Sequence, residues 1–221
     1  LETVDPTVSF SEYAQANPYY RKYNSAGEIE KYLYYPEDGI NDSSVSNPLW
    51  NAHLNNYNKG QEFGFTNNFI IEWFATHDFR LRAKFGLTKS DDTSDVRLSP
   101  LHSQFDDVSD TEKGLYTHTQ TKGLVYEGDL AATFGRLFAD KHMVNAVAGF
   151  NFSSTKRENY GFSANGFTDD QFDSPSFANS YPNGESPDYS RTEKRAASFY
   201  INGGYAYDNR YLLDFNYRSD G

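Results

Sequence analysis

Histidine and carboxylate side chains are the groups in this sequence that could do chemistry, either as metal ligands or as catalytic bases. The histidines lie in or beside loops and turns, and no His-x-x-x-His pair or carboxylate spacing typical of a metal site occurs among them. No nucleophile-elbow motif supports a Ser-His-Asp arrangement. The histidines are His53, His77, His102, His118 and His142. The sequence therefore predicts no catalytic residues, no metal ligands, no cofactor and no enzyme activity.

Three acidic clusters contain the hard oxygen ligands that Ca²⁺ prefers, but none has the spacing of an EF-hand loop. The clusters are Asp91, Asp92 and Asp95, then Asp106, Asp107 and Asp110, then Asp169, Asp170 and Asp173. Most of the 31 acidic residues lie in long loop segments, so solvated loop charge is the favoured interpretation. A negative rim of this kind would disfavour anionic cargo and would not repel neutral cargo.

Aromatic residues crowd the first 60 positions, where flat rings could stack on sugars or on peptide side chains. Alternatively, these rings pack the segment against itself or against a partner, since Tyr and Trp also dominate protein interfaces. The candidate contacts to cargo or partner are Tyr19, Tyr20, Tyr34, Trp50 and Tyr57.

Strict alternation of apolar and polar residues predicts the β-strands that position the histidine, carboxylate and aromatic side chains. FRLRAKFGLT, residues 79–88, alternates without a fault, and this pattern is typical of a strand with one apolar and one polar face. The same period recurs in QEFGFTNNFIIEWF, GLVYEGDLAATF, MVNAVAGFNF, SFYINGGYAY and RYLLDFNYR. Six strands are thus predicted, as three hairpins at residues 61–90, 120–155 and 193–221.

The parity of the faces restricts the register of two hairpins. Directly opposed residues must share a face, so the first turn needs an odd number of residues. A three-residue turn places Glu72 opposite Arg82, and a five-residue turn places it opposite Arg80. In the last hairpin, a three-residue turn places Tyr207 opposite Tyr211.

Short turns alternate with long connections at residues 91–119 and 156–192, and 1–60 is predicted to be a third long loop segment. Aromatic residues flank every short turn, as in the girdle of a transmembrane barrel. These features predict an all-β fold, an antiparallel transmembrane β-barrel section with extracellular long loops. A soluble β-sandwich is the alternative, although loops of about 30 residues are uncommon in compact soluble domains.

Composition is compatible with such a barrel. No run of 18 apolar residues occurs, but a transmembrane strand needs only about 9–11 residues. The mean hydropathy of −0.78 does not argue against spanning, because only alternate side chains of a barrel strand meet lipid. The net charge is −11 and no segment resembles a basic stripe that could neutralise phosphates, so no nucleic-acid partner is predicted.

Four segments, in this order, resemble SusC-like TonB-dependent transporters. They are YAQANPYYRKYNSAGEIEKY at 13–32, NPLWNA at 47–52, FTNNF at 65–69 and NRYLLDFNYRSDG at 209–221. The resemblance implies a multi-pass protein in the outer membrane of a Gram-negative bacterium. It also implies uptake of oligosaccharide, peptide or other large nutrients with a SusD-like lipoprotein, driven through TonB.

The chain departs from that family in three respects. It lacks the amino-terminal plug domain and the TonB-contacting segment, it stops where the family pattern continues, and six strands cannot close a 22-stranded barrel. The sequence is therefore predicted to be a fragment whose edges, near residues 61 and 217, pair with further strands.

Within such a barrel the two faces of the hairpins have different roles. The residues predicted to face lipid include Phe69, Ile71, Leu81 and Phe85. The residues predicted to line the lumen include Arg80, Arg82, Lys84, Glu127 and Asp129. Two other functions remain open: an independent soluble carbohydrate-binding module, and a passive outer-membrane channel without a lipoprotein partner.

Overall fold

The computed structural model describes residues 2–5, 11, 14, 17–34 and 44–221, and these form an all-β fold. The nine strands of this described part are β1 (Glu2–Asp5), β2 (Tyr32–Tyr34), β3 (Val45–Ser46), β4 (Tyr57–Phe74), β5 (Phe79–Leu98), β6 (Leu115–Phe138), β7 (His142–Asn165), β8 (Asp188–Tyr207) and β9 (Tyr211–Asp220). One short helix, α1 (Pro48–His53), and 3₁₀ turns at Ser103–Phe105 and Pro175–Phe177 complete them. None of the helices in these ranges has the length and apolarity to cross a lipid bilayer.

Strands β4 to β9 form one antiparallel sheet in chain order, as the three predicted hairpins require. Strand β1, which the hydrophobic period does not reveal, joins this sheet beside β4, with Glu2 opposite Gln61 and Asp5 opposite Asn58. Strands β2 and β3 form a separate pair. The fold class predicted from alternation is therefore confirmed, with one additional strand in the main sheet.

Two hairpins have three-residue turns, which is one of the odd lengths that parity allows. In the first, Arg82 Nε lies 3.3 Å from Glu72 Oε1, and Thr66 Oγ1 lies 3.2 Å from Thr88 Oγ1 on the same polar face. In the last, Tyr207 lies opposite Tyr211. The structure thus selects Arg82 rather than Arg80 as the partner of Glu72.

The central strands are longer than alternation indicated. Strand β5 continues to Leu98, β6 begins at Leu115, β7 continues to Asn165 and β8 begins at Asp188. The connections are therefore residues 99–114 and 166–187, shorter than the predicted 91–119 and 156–192. In these outer parts of the strands both faces carry polar residues. The backbone still pairs there, but the sequence shows no alternation of apolar and polar residues that would predict it.

Glycines on β6 and β7 make room for aromatic rings from the neighbouring strands. A Cβ at Gly128 would collide with the ring of Phe152, and a Cβ at Gly149 would collide with the ring of Tyr200. The first pair lies on the apolar face and the second on the polar face. The two faces therefore stay separate across β6, β7 and β8, because successive side chains of a strand point to opposite sides.

The chain divides into two compact units. Unit 1 comprises Leu1–Glu62, Asp92–Gln120 and Asn159–Tyr189, and unit 2 comprises Phe63–Asp91, Thr121–Glu158 and Ser190–Gly221. The buried hydrophobic side chains of the described residues are Leu33, Tyr116, Ala164 and Phe167, all in unit 1. Unit 2, which the structure describes throughout, has no apolar core of its own.

Candidate functional site

Unit 2 has an apolar face on which many large hydrophobic side chains are exposed. This face consists of odd-numbered residues on β4, β5, β8 and β9 and of even-numbered residues on β6 and β7. Of the residues predicted to face lipid, Phe69, Ile71 and Phe85 are 57%, 51% and 46% exposed, while Leu81 is half-buried. The fold therefore leaves large apolar side chains exposed, although proteins in water usually bury such side chains.

Aromatic residues border this face beside the short turns. The His142 ring lies 5.1 Å from the Tyr207 ring, and His142 Nδ1 lies 2.7 Å from the hydroxyl of Tyr205. Tyr207 stacks on Tyr211 at 6.4 Å, and Trp73 is 59% exposed. Rings with one apolar and one polar edge suit the boundary between lipid and water.

The polar face of unit 2 carries the residues predicted to line a lumen. Lys84, Glu127 and Asp129 line an open concavity of about 740 Å³, together with Arg218. Arg80 and Arg82 lie outside its lining, and Arg82 is held by Glu72. The structure therefore brings three of the five predicted residues together around one concave surface.

Four uncharged residues in the lining of this concavity, Asn68, Gly86, Asn151 and Ser198, were not among the residues predicted to line the lumen. The hydroxyl of Ser198 donates to Asn151 Oδ1 and accepts a hydrogen bond from Arg218 at 3.3 Å. Gly86 admits Asn68, because a Cβ at Gly86 would lie 2.9 Å from Asn68 Oδ1. Alternation places all of these residues on the polar face, but amides and hydroxyls carry no further signal that distinguishes them from ordinary surface residues.

The five aromatic candidates in unit 1 have different environments. Tyr19 is 92% exposed, while Tyr20 and Tyr34 stack on each other at 5.8 Å. The indole of Trp50 donates to the carbonyl oxygen of Leu101 at 3.1 Å. Burial, and then the charge of nearby Asp95, raise the pKa of Tyr57. Tyr19 is thus the most accessible of the five.

The asparagines of the NPLWNA segment hold unit 1 together. Asn47 is fully buried; its Oδ1 accepts from Leu49 N at 3.1 Å as the cap of α1, and its Nδ2 donates to the carbonyl oxygens of Lys22 and Glu30. Asn51 donates to Ser103 Oγ at 2.9 Å and accepts from Ser103 N at 3.1 Å. These asparagines are therefore structural rather than available for a ligand.

Arg97 is a fully buried polar residue of unit 1 that no local pattern in the sequence indicated. Its side chain is fully buried and donates to the carbonyl oxygens of Asn55, Asp170 and Phe172, at 2.9 Å for Asp170 and 3.0 Å for Phe172. The guanidinium also lies 5.9 Å from the centre of the Phe167 ring. One side chain thus joins β5 to two segments distant in sequence.

Members of all three acidic clusters have structural partners, so the prediction that these clusters are solvated loop charge was too broad. Asp95 accepts hydrogen bonds from the hydroxyl of Tyr116 at 2.6 Å and lies 2.7 Å from His118 Nδ1. Burial, together with the Asp95 contact, raises the pKa of Tyr116. Asp106 contacts Lys31 and Tyr32, and Asp170 binds the backbone beside Arg97. Within the described ranges, no three His, Cys, Asp or Glu residues are grouped to hold a metal ion.

Comparison with known proteins gives a likeness of fold. No protein-family model and no curated protein matches the sequence. Among solved structures, the RagAB peptide transporter matches with a TM-score of 0.69 and 16% identity over 88% of this chain. The RagAB peptide importer matches in its "open-open" state with a TM-score of 0.68 and 18% identity, and in its "closed-closed" state with 0.69 and 17%, each over 91% of this chain. The chain has the fold of a segment of these transport proteins.

The matched part is a minor portion of the larger proteins. The chain spans 21%, 21% and 22% of the length of the three matched chains. At these identities the likeness concerns the arrangement of strands.

Proposed function

We propose that the chain forms part of the barrel wall of a SusC-like, TonB-dependent nutrient importer in the outer membrane of a Gram-negative bacterium. The exposed apolar face of unit 2 is the observation that carries this proposal. Soluble monomers rarely expose contiguous apolar patches larger than a few hundred Å². A face bordered by aromatic residues and built on hairpins with short turns fits a hydrocarbon layer better than water.

The edges of the sheet support the same proposal. Strand β1 covers only residues 58–61 of β4, and β9 pairs with β8 on one side. Unpaired backbone groups cannot face hydrocarbon, because no water is present there to satisfy them. We infer that further strands of a larger barrel cover both edges.

In this arrangement the hairpins predicted at residues 61–90, 120–155 and 193–221 span the membrane, and the long connections are extracellular. The polar face, with Arg80, Arg82, Lys84, Glu127 and Asp129, lines the lumen. The protein performs no covalent reaction, and specificity resides in the loops and in a SusD-like lipoprotein partner.

Oligomeric nutrient is the proposed cargo. Peptide is the first class to test, because the matched structures are those of a peptide transporter, and oligosaccharide is the second. Tyr19, Tyr20, Tyr34, Trp50 and Tyr57 remain the proposed contacts to cargo or partner, with Tyr19 the first choice because of its exposure.

The proposal is tested by expressing the full gene product in its host and fractionating the membranes. We expect a heat-modifiable protein in the outer membrane that needs detergent for extraction and that co-purifies with a lipoprotein. Uptake of labelled peptides should stop when TonB is deleted. Uptake that persists without TonB or lipoprotein would indicate a passive channel, and a species soluble without detergent would indicate a binding module.

A further inference from the structure

Asparagine followed by glycine is the dipeptide most open to deamidation, and it occurs three times in this chain. The pairs are Asn165–Gly166, Asn183–Gly184 and Asn202–Gly203. In this reaction the backbone nitrogen after the asparagine loses its proton and attacks the side-chain carbonyl carbon, Cγ. Ammonia leaves and a cyclic succinimide forms, which water opens to aspartate or isoaspartate. Glycine favours the attack because it has no Cβ to hinder the approach.

The fold protects the first and the third of these pairs. Asn165 is 8% exposed, and the nitrogen of Gly166, which would have to attack, donates to the carbonyl oxygen of Lys113 at 3.0 Å. The third pair lies inside β8 and is in register with β9. An antiparallel ladder keeps a strand extended and its backbone groups in hydrogen bonds, so the nitrogen there does not turn readily toward Cγ.

The second pair, Asn183–Gly184, lies in an exposed turn. The hydrogen bond from Glu185 N to Pro182 O, at 2.9 Å, closes this turn and does not use the nitrogen of Gly184. Gly184 has a φ of 80°, the left-handed conformation that the third position of a type II turn needs. A Cβ at Gly184 would meet no atom of the described residues within 4 Å. The attacking nitrogen therefore has room to reach Cγ of Asn183.

The amide of Asn183 joins the two long connections of unit 1. Its Nδ2 donates to Glu112 Oε1 at 3.0 Å, which links residues 166–187 to residues 99–114. This hydrogen bond lies at the surface, so the need to break it slows the attack by no more than about tenfold. Deamidation replaces the donor by a carboxylate, which only accepts hydrogen bonds. Two like charges then lie side by side and repel each other.

We propose that Asn183 is a site of spontaneous deamidation, and that its conversion separates the tip of the 166–187 connection from Glu112. One water is consumed and one ammonia is released, and no enzyme takes part. The base of the connection stays attached, because Phe167 N donates to the carbonyl oxygen of Lys113 at 2.8 Å. The modification thus loosens one end of the connection and leaves the fold intact. It is independent of the proposed function, because it depends only on contacts within unit 1.

The site is tested by peptide mass spectrometry of the full-length protein after incubation in mildly alkaline buffer, folded in one arm and unfolded in urea in the other. Trypsin releases residues 158–191 as one peptide, so fragmentation compares Asn165 and Asn183 within the same molecule. In the folded arm a mass increase of about 1 Da, from the exchange of NH₂ for OH, should appear at Asn183. At Asn165 it should form at least about tenfold more slowly, because a buried hydrogen bond must break first. In urea the two positions should react at similar rates.

Variants at positions 183 and 112 test the consequence for the contact. Asn183→Gln is the control for the reaction: its attack would have to close a larger ring, so the mass increase at this position should disappear. Hydrogen exchange at residues 183–186 should be faster in N183D than in the wild type. N183D/E112Q exchanges the donor and the acceptor between the two positions and should return this exchange to the wild-type rate.

Equal rates at Asn165 and Asn183 in the folded arm would overturn the assignment of the site. So would the absence of a mass increase at Asn183 in folded protein when the unfolded protein shows one. Wild-type hydrogen exchange in N183D would overturn the loss of the Glu112 contact. Solubility of the protein without detergent would overturn the proposed function and would leave these rates unchanged.

Discussion

Replacing Phe85 with arginine tests whether the apolar face lies in lipid. Phe85 is six residues from Phe79, the first residue of β5, which corresponds to about 20 Å along the strand at ~3.4 Å per residue. With a strand tilt of about 40°, this length spans ~15 Å of an apolar layer that is about 25 Å thick. Phe85 should therefore lie close to the middle of the layer, where an arginine costs about 2–4 kcal/mol.

Equilibrium unfolding of the full-length protein in phospholipid vesicles, followed by tryptophan fluorescence over a denaturant series, measures this cost. Thr88→Arg is the control, because Thr88 lies on the same strand but faces the other side, where its hydroxyl meets Thr66. We expect its free energy of unfolding to change by less than about 1 kcal/mol. Wild-type stability in Phe85→Arg, or equal losses in the two variants, would refute the placement of this face in lipid.

Three further predictions concern particular residues. Arg97→Met should destabilise unit 1 by about 3–5 kcal/mol, because buried carbonyl groups lose their donor, and hydrogen exchange in residues 166–187 should accelerate. Ala139→Gly should stabilise the second turn by about 1 kcal/mol, since Ala139 has a φ of 48°; an unchanged unfolding midpoint would contradict this. Burial, and then the charge of Lys31, lower the pKa of His102, whose neutral Nδ1 accepts from Gln104 N. The stability that neutral His102 contributes is present above its unfolded pKa of about 6.5 and should be lost as the pH falls through the lower folded value. In His102→Gln, thermal unfolding at pH 7 and pH 5 should differ less than in the wild type.

The sheet was predictable because its pairing is local and its hydrophobic period is strong. Parity requires turns of odd length, so the partner of Glu72 was limited to Arg82 or Arg80 and Tyr207 was expected opposite Tyr211 before the structure was known; the contact of Glu72 with Arg82 decided the first case. Strand β1 could not, because its pairing with Gln61 joins positions almost sixty residues apart and four residues carry little period. The ends of β5 to β8 were missed for a different reason: their outer residues are polar on both faces, and pairing there depends on the neighbouring strand.

The surfaces of unit 2 were more predictable than the interior of unit 1. A face follows from alternation alone, so Lys84, Glu127 and Asp129 could be placed together without knowing their contacts. Arg97 and Asn47 act on backbone carbonyls from other segments, and no side-chain pattern records which carbonyl will be near. The NPLWNA segment was noticed for its resemblance, whereas its contribution to the fold became clear only from the contacts of its asparagines.

The glycines beneath Phe152 and Tyr200 have a consequence for the evolution of this sheet. Each ring occupies the volume that a side chain on the adjacent strand would need, so neither position of a pair can vary alone at low cost. Relatives that carry a bulky residue at position 149 should carry a small one at position 200, and the same exchange should link positions 128 and 152. Such paired substitutions would reveal which residues of β6, β7 and β8 lie opposite each other, even among relatives whose surrounding sequences have diverged.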